Sequence, residues 1–143
     1  DGDTALMDAA NNGHERVVEL LLRRGAEVNL QNSDGSTALM AAAQGGHERV
    51  VDWLIPHGAE VNLQDSDGVT ALMIAAVLYG HERVVELLIR RGAEVNLQNS
   101  IRITALMAAA SNGHEQVVDL LIRRGAEVDL QDSEGRTALM YAA

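Results

Sequence analysis

DGSTALMAAAQGGHERVVDWLIPHGAEVNLQDS, residues 34–66, is a 33-residue unit whose close copies fill the rest of the chain. The first copy spans residues 1–33, the third 67–100 and the fourth 101–133; a partial fifth, EGRTALMYAA, covers 134–143. Self-similarity at this period is the signature of a solenoid, in which each unit stacks on its neighbours. One unit therefore decides the fold of a single domain over residues 1–143, and function has to be read where the copies disagree.

In the first copy Thr4 is placed to cap a helix, and Ala5, Leu6, Ala9 and Ala10 follow as one narrow apolar stripe. The stripe is mostly alanine, so a neighbouring helix can approach closely. Gly13 ends this helix by supplying a positive φ after the C-cap. A second helix is expected over about residues 15–24, with a broader face of Val17, Val18, Leu20, Leu21 and Leu22. Arg23 and Arg24 fall in its last turn, where cations favour the helix dipole, and Gly25 closes it. AEVNLQNSDGS follows as an extended stretch whose Asp-Gly signals a hairpin. The unit reads as helix, tight turn, longer helix and β-hairpin loop.

This unit resembles an ankyrin repeat. The residues that carry the resemblance are Asp34-Gly35, Thr37, Leu39, Ala42-Ala43, Gly46-His47, Val50-Val51, Gly58-Ala59 and Val61-Asn62, and they recur through nearly the whole chain. The resemblance implies an all-α ankyrin-repeat solenoid of helix–turn–helix units joined by β-hairpin loops, working as a protein-binding module. It also implies that the hairpin tips and first helices line the binding surface, the positions varied in designed ankyrin-repeat binders. Two departures stand out. The family usually opens its first helix Thr-Pro-Leu-His, whereas every copy here reads Thr-Ala-Leu-Met. Losing Pro at the first helical position weakens pre-organisation slightly, and Met replaces a polar link to Thr with an adaptable apolar group. The first copy is an ordinary internal unit and the last stops after one helix, so trimmed or missing capping segments are expected.

Composition narrows the function classes. The net charge is −10, all eleven basic residues are Arg, and only three residues are aromatic. Such a surface repels phosphate and offers few stacking platforms, so nucleic acid and anionic membranes are poor partners. No Cys is present, which removes disulfide and thiolate chemistry and favours a cytoplasmic or recombinant origin. No apolar run is long enough to span a membrane, and the N-terminus DGDTALM has no signal-like character. The absence of Lys and Phe suggests one template unit multiplied, by recent duplication or by engineering.

Catalytic and metal chemistry find no support. His14, His47, His81 and His114 occupy one repeat position. Stacking separates equivalent residues by about 8–10 Å, whereas zinc needs its nitrogens at about 2.0–2.1 Å. Their expected role is closing the turn between helices. Met7, Met40, Met73, Met107 and Met140 read as core or near-core by the same repetition. Trp53 replaces a Leu of the second helix, as core variation or as a contact, and His57 beside Pro56 reads as a surface contact. The carboxylates are spread by the repeat and form no dyad; phosphate loops, nucleophile elbows and metal spacings are missing. Neither an enzyme nor a cofactor is indicated.

The copies differ at few positions. The residue before Thr reads Asp3, Ser36, Val69, Ile103, Arg136; four after Thr it reads Asp8, Ala41, Ile74, Ala108, Tyr141. Before Gly-His stand Asn11-Asn12, Gln44-Gly45, Val77-Leu78-Tyr79 and Ser111-Asn112. The third copy is thus apolar where its siblings are polar, and one residue longer, which must lengthen or bulge the helix end. The fourth opens Ile101-Arg102-Ile103 in place of Asp-Gly, so Arg102 changes the turn or accepts an unfavourable φ. Val69, Ile74, Val77, Leu78, Tyr79, Ile101, Arg102 and Ile103 are therefore expected to form one exposed, contiguous patch for a partner protein, or for a second copy in a homo-oligomer. Secondary contacts are Ser36, Gln44, Trp53, His57, Ser111 and Asn112.

Overall fold

The computed structural model describes residues 2–78 and 81–143. Its first helices are α1 (Ala5–Asn11), α3 (Ala38–Gly45), α5 (Ala71–Val77), α7 (Ala105–Ser111) and α9 (Ala138–Ala142). The second helices are α2 (Glu15–Arg23), α4 (Glu48–Leu54), α6 (Glu82–Arg90) and α8 (Glu115–Arg123). The first helices stack as one layer and the second helices as another, each element meeting chiefly its own partner and its counterparts in adjacent repeats.

Each first helix starts at a Thr, and in all but α9 its side chain supplies a cap. The Oγ1 of Thr4, Thr37, Thr70 and Thr104 accepts the amide of the Met three residues on, at 3.2–3.3 Å. In α1 the Met7 Sδ also accepts the Thr4 amide, so methionine recovers part of the link that the family's histidine supplies. The cores of these helices are alanine and leucine: Leu39, Leu72 and Leu106 are buried, as are Ala42, Ala43, Ala75, Ala76 and Ala109. Burying each leucine stabilises the stack by about 1.5–3 kcal/mol, and small alanines between them permit close packing of helices. Val50, Val51, Leu54, Val84, Val85 and Leu88 seal the layer from the second helices. Met7, Met40, Met73 and Met107 are core as expected, but Met140 is 59 % exposed because no helix packs beyond α9 among the described residues.

The connecting loops turn without forming strands among the described residues. Each tip is held by its own side chain: the Asn32 Oδ1 accepts the amides of Asp34 and Ser36, and Asp65 and Asn99 repeat the pattern. Cross-repeat bonds add to those within each loop. The Ser66 amide donates to the Asp34 carbonyl at 2.9 Å, and Ser100 to Asp67 at 2.8 Å. Asn29, Asn62 and Asn96 each donate to a glycine carbonyl of the next repeat and accept an amide from it. The hairpin expectation holds at the tips, where the Asn32 amide donates to the Ser36 carbonyl at 3.0 Å and the Gly35 amide to the Asn32 carbonyl at 2.9 Å, and further bonds cross to neighbouring repeats.

The histidines follow the same logic. His47 Nε2–H donates to the Asn11 carbonyl at 2.9 Å, and His114 Nε2–H to the Val77 carbonyl at 3.0 Å. The ring thus ties its own turn to the end of the preceding repeat's first helix, a longer reach than closing the turn within one unit.

Candidate functional site

The third repeat, one residue longer than its siblings, differs from them after its first helix. α5 ends at Val77 with 7 residues, like α1 and α7, so the helix is not lengthened. Leu78 takes φ −88°, ψ 111°, where the other first helices end in helical or left-handed caps. The backbone closes again at His81, whose amide donates to Ala75, one residue further back than in His14, His47 and His114. Tyr79 lies outside the described residues.

A groove of about 310 Å³ lies between the inner helices and the hairpin tips. Val69, Ile74, Val77, Leu78 and Ile103 line it, joined by Gln44 and by Met73, Asn99 and Ala108. Val69, Ile74, Val77, Leu78 and Ile103 are half-buried, which corrects the expectation of an exposed patch: they form a recess. The reason is stacking, since Val69, Ile74 and Ile103 lean on the shared core. A groove this small and open sits at the bottom of the range for small-molecule sites, about 300–1,000 Å³, and suits one or two apolar side chains.

Ile101 and Arg102 stand at the rim. Ile101 is 53 % exposed. Arg102 has φ 65°, and among the described residues it is the one non-glycine with positive φ. Its amide donates to the Asn99 carbonyl at 2.8 Å, as Gly35 and Gly68 do to Asn32 and Asp65, so the turn is unchanged and the arginine accepts the strain. That strain is worth about 1–2 kcal/mol. The guanidinium makes no ion pair among the described residues.

A second groove, of about 330 Å³, shares Gln44 and Ile74 with the first and extends toward the first repeat. Ser36 lies in it, and so do Asp3, Asp8 and Asp34. Asn32 Nδ2 donates to the Asp3 carboxylate at 2.6 Å, and no arginine lines the groove among the described residues. These three aspartates did not stand out as site residues in the sequence, although Asp3 and Asp8 head the two variable columns.

The remaining candidates lie elsewhere. Asn112 Nδ2 donates to the Ala108 carbonyl at 2.9 Å, capping its own helix, and Ser111 is exposed beside it. Trp53 is half-buried outside the core, its ring 5.6 Å from that of His57, whose Nδ1–H donates to the Trp53 carbonyl at 2.7 Å. Trp53 thus lies at the margin of the core, in a column whose exposure falls from 54 % at Leu20 to 4 % at Leu120. His57 also interrupts a ladder in which Arg91 pairs with Asp52 and Arg124 with Glu86 across repeats.

In the partial repeat, Asp132 takes the turn position held elsewhere by Asn or Asp and is 2 % exposed. Tyr141 Oη–H donates to it at 2.5 Å and Arg136 Nε–H at 2.8 Å, with the amides of Glu134 and Arg136 completing its shell. Burial opposes its charge, but these donors outweigh burial and hold the carboxyl well below the usual carboxylate range. Burial and the same bond raise the Tyr141 phenol. The arginine also lies over the Tyr141 ring at 4.9 Å. This cluster locks the last turn.

Stacked helix pairs with side-chain-capped tips and an indented tip-and-helix face define the class as an interaction scaffold. The family model "Ankyrin repeats (3 copies)" matches residues 6–99 and 76–143. The chain belongs to the ankyrin-repeat family, whose members are generally non-enzymatic protein–protein interaction modules. No curated protein matches it. No helix among the described residues is long and apolar enough to cross a membrane.

Proposed function

We propose that this chain is a non-enzymatic binding module that holds a partner protein on the tip-and-helix face of its third and fourth repeats. Val69, Ile74, Val77, Leu78 and Ile103 form the floor of the contact, Tyr79 belongs to the inserted segment beside them, and Ile101 and Arg102 form its rim. The observation that carries the proposal is the apolar recess itself, built at positions where sibling repeats carry Asp, Ser or Ala. The apolar area left open in the recess and the strained Arg102 exceed what sibling repeats need to fold, and departures of this kind mark interaction sites. The near-identity of the framework elsewhere supports one template unit multiplied, with change confined to contact positions, as in a selected or engineered binder.

The test uses residues the fold already tolerates. Val69→Ser with Ile74→Ala places the second repeat's Ser36 and Ala41 side chains in the third. Peptides selected from a displayed random library on the parent chain should bind this variant about tenfold or more weakly, since hot spots concentrate in a few apolar contacts. Helicity by circular dichroism should be unchanged. Undiminished affinity in a folded variant would refute the site. Concentration-dependent sedimentation that the same variant abolishes would instead identify a second copy as the occupant.

A further inference from the structure

The two variable columns change character along the stack. They run from Asp3 and Asp8, through Ser36 and Ala41, to Val69 and Ile74, then Ile103 and Ala108. In the structure this order becomes a polarised surface. Among the described residues, three carboxylates with no arginine in the same lining occupy the first groove; an apolar recess follows, sharing Gln44 and Ile74 as a common wall; and exposed Arg102 stands at the far rim. The other basic residue of this row, Arg136, is already engaged by Asp132 and Glu134. The acidic cluster alone would be an ordinary solvated surface. Its continuity with the recess gives it meaning, because a segment seated on Ile74 passes over both.

We infer that the partner segment is apolar at its centre, with a cationic side chain on one side and a carboxylate on the other. The cation lies over Asp3, Asp8 and Asp34 and the carboxylate over Arg102, so the surface fixes the direction in which the segment lies. Complementary potentials of this sort set register and orientation more than raw affinity. Repeats stack about 8–10 Å apart. An extended segment advances about 3.3 Å per residue, which places the cation roughly three to six residues from the apolar anchor. This inference rests on the proposed binding site and specifies its ligand.

Random peptides displayed as a library should be selected against the full chain, against Asp3→Asn/Asp8→Asn/Asp34→Asn, against Arg102→Gln, and against Val69→Ser/Ile74→Ala. The parent pool should carry Lys or Arg and Asp or Glu on opposite sides of Val, Leu, Ile, Met or aromatic residues. The triple amide variant should lose the cation preference and keep the apolar one, and parent-selected peptides should bind it about fivefold more weakly at low salt, with the gap closing as salt rises. Arg102→Gln should lose only the carboxylate preference. A parent pool with apolar residues and no flanking charge order overturns the inference and leaves the binding site standing. Pools that survive Val69→Ser/Ile74→Ala unchanged overturn the site and the inference with it. Groove-dependent self-association in sedimentation also overturns it, by naming a second copy as the occupant.

Discussion

Arg102→Gly is expected to stabilise the chain by about 0.5–1 kcal/mol. A non-glycine residue in the left-handed region costs about 1–2 kcal/mol, and Arg102 sits there at φ 65°. Glycine relieves that strain but restores unfolded-state freedom worth about 0.4–1 kcal/mol, so the difference is the net gain. Nothing else is lost, because the turn is held by backbone groups: the amide bond to Asn99 and the carbonyl that accepts Gln98 Nε2–H at 2.8 Å. The substitution stops at this residue for a reason. Ile103 packs on the core, and replacing it with the sibling serine would offset the gain. Urea unfolding followed by circular dichroism should show the midpoint rising by about 0.3–0.5 M at an unchanged slope near 2 kcal/mol per molar. In the same variant, peptides selected on the parent should bind more weakly, since the rim has lost its cation. A midpoint that stays put or falls would refute the strain reasoning, and a stabilised variant with full affinity would remove Arg102 from the site.

The same repeat position should respond differently along the stack: Leu72→Ala should cost about 2–5 kcal/mol, whereas Leu139→Ala, at 80 % exposure, should stay within about 0.5 kcal/mol in the same denaturant titration. Asp132 should make stability pH-dependent. Its folded pKa is depressed below the ordinary 3.8, so its contribution is present above that value and is lost as pH falls through and beneath it. Asp132→Asn, a residue that Asn32 and Asn99 show the turn accepts, should therefore be less stable than the parent at neutral pH, with the difference shrinking below about pH 4. A pH-independent difference between the two unfolding curves would mean that the lost contribution is packing rather than charge.

Everything within one turn of the chain could be read from the residues alone. Thr caps, terminal glycines, alanine and leucine stripes and the Asx tips act over four residues or fewer, so the second helix of the first unit followed to within a residue, α2 ending at Arg23 where Arg24 was expected, whereas α4 stops at Leu54, short of Pro56. The identity of the candidate residues was equally visible, because near-identical copies expose every departure. Stacking decided the rest. Leu20 and Leu120 hold one repeat position, yet one is 54 % exposed and the other 4 %, since burial depends on which helix lies alongside. The insertion before His81 could lengthen a helix or bulge a turn. The helix is not lengthened: α5 ends at Val77, whose carbonyl accepts the His114 Nε2–H. Val69, Ile74 and Ile103 became a recess, and Asp3, Asp8 and Asp34 its neighbour, because groups some 30 residues apart in sequence meet only across packed repeats. Local chemistry specifies the unit, while the shape and charge order of the surface arise from how the units lean on one another.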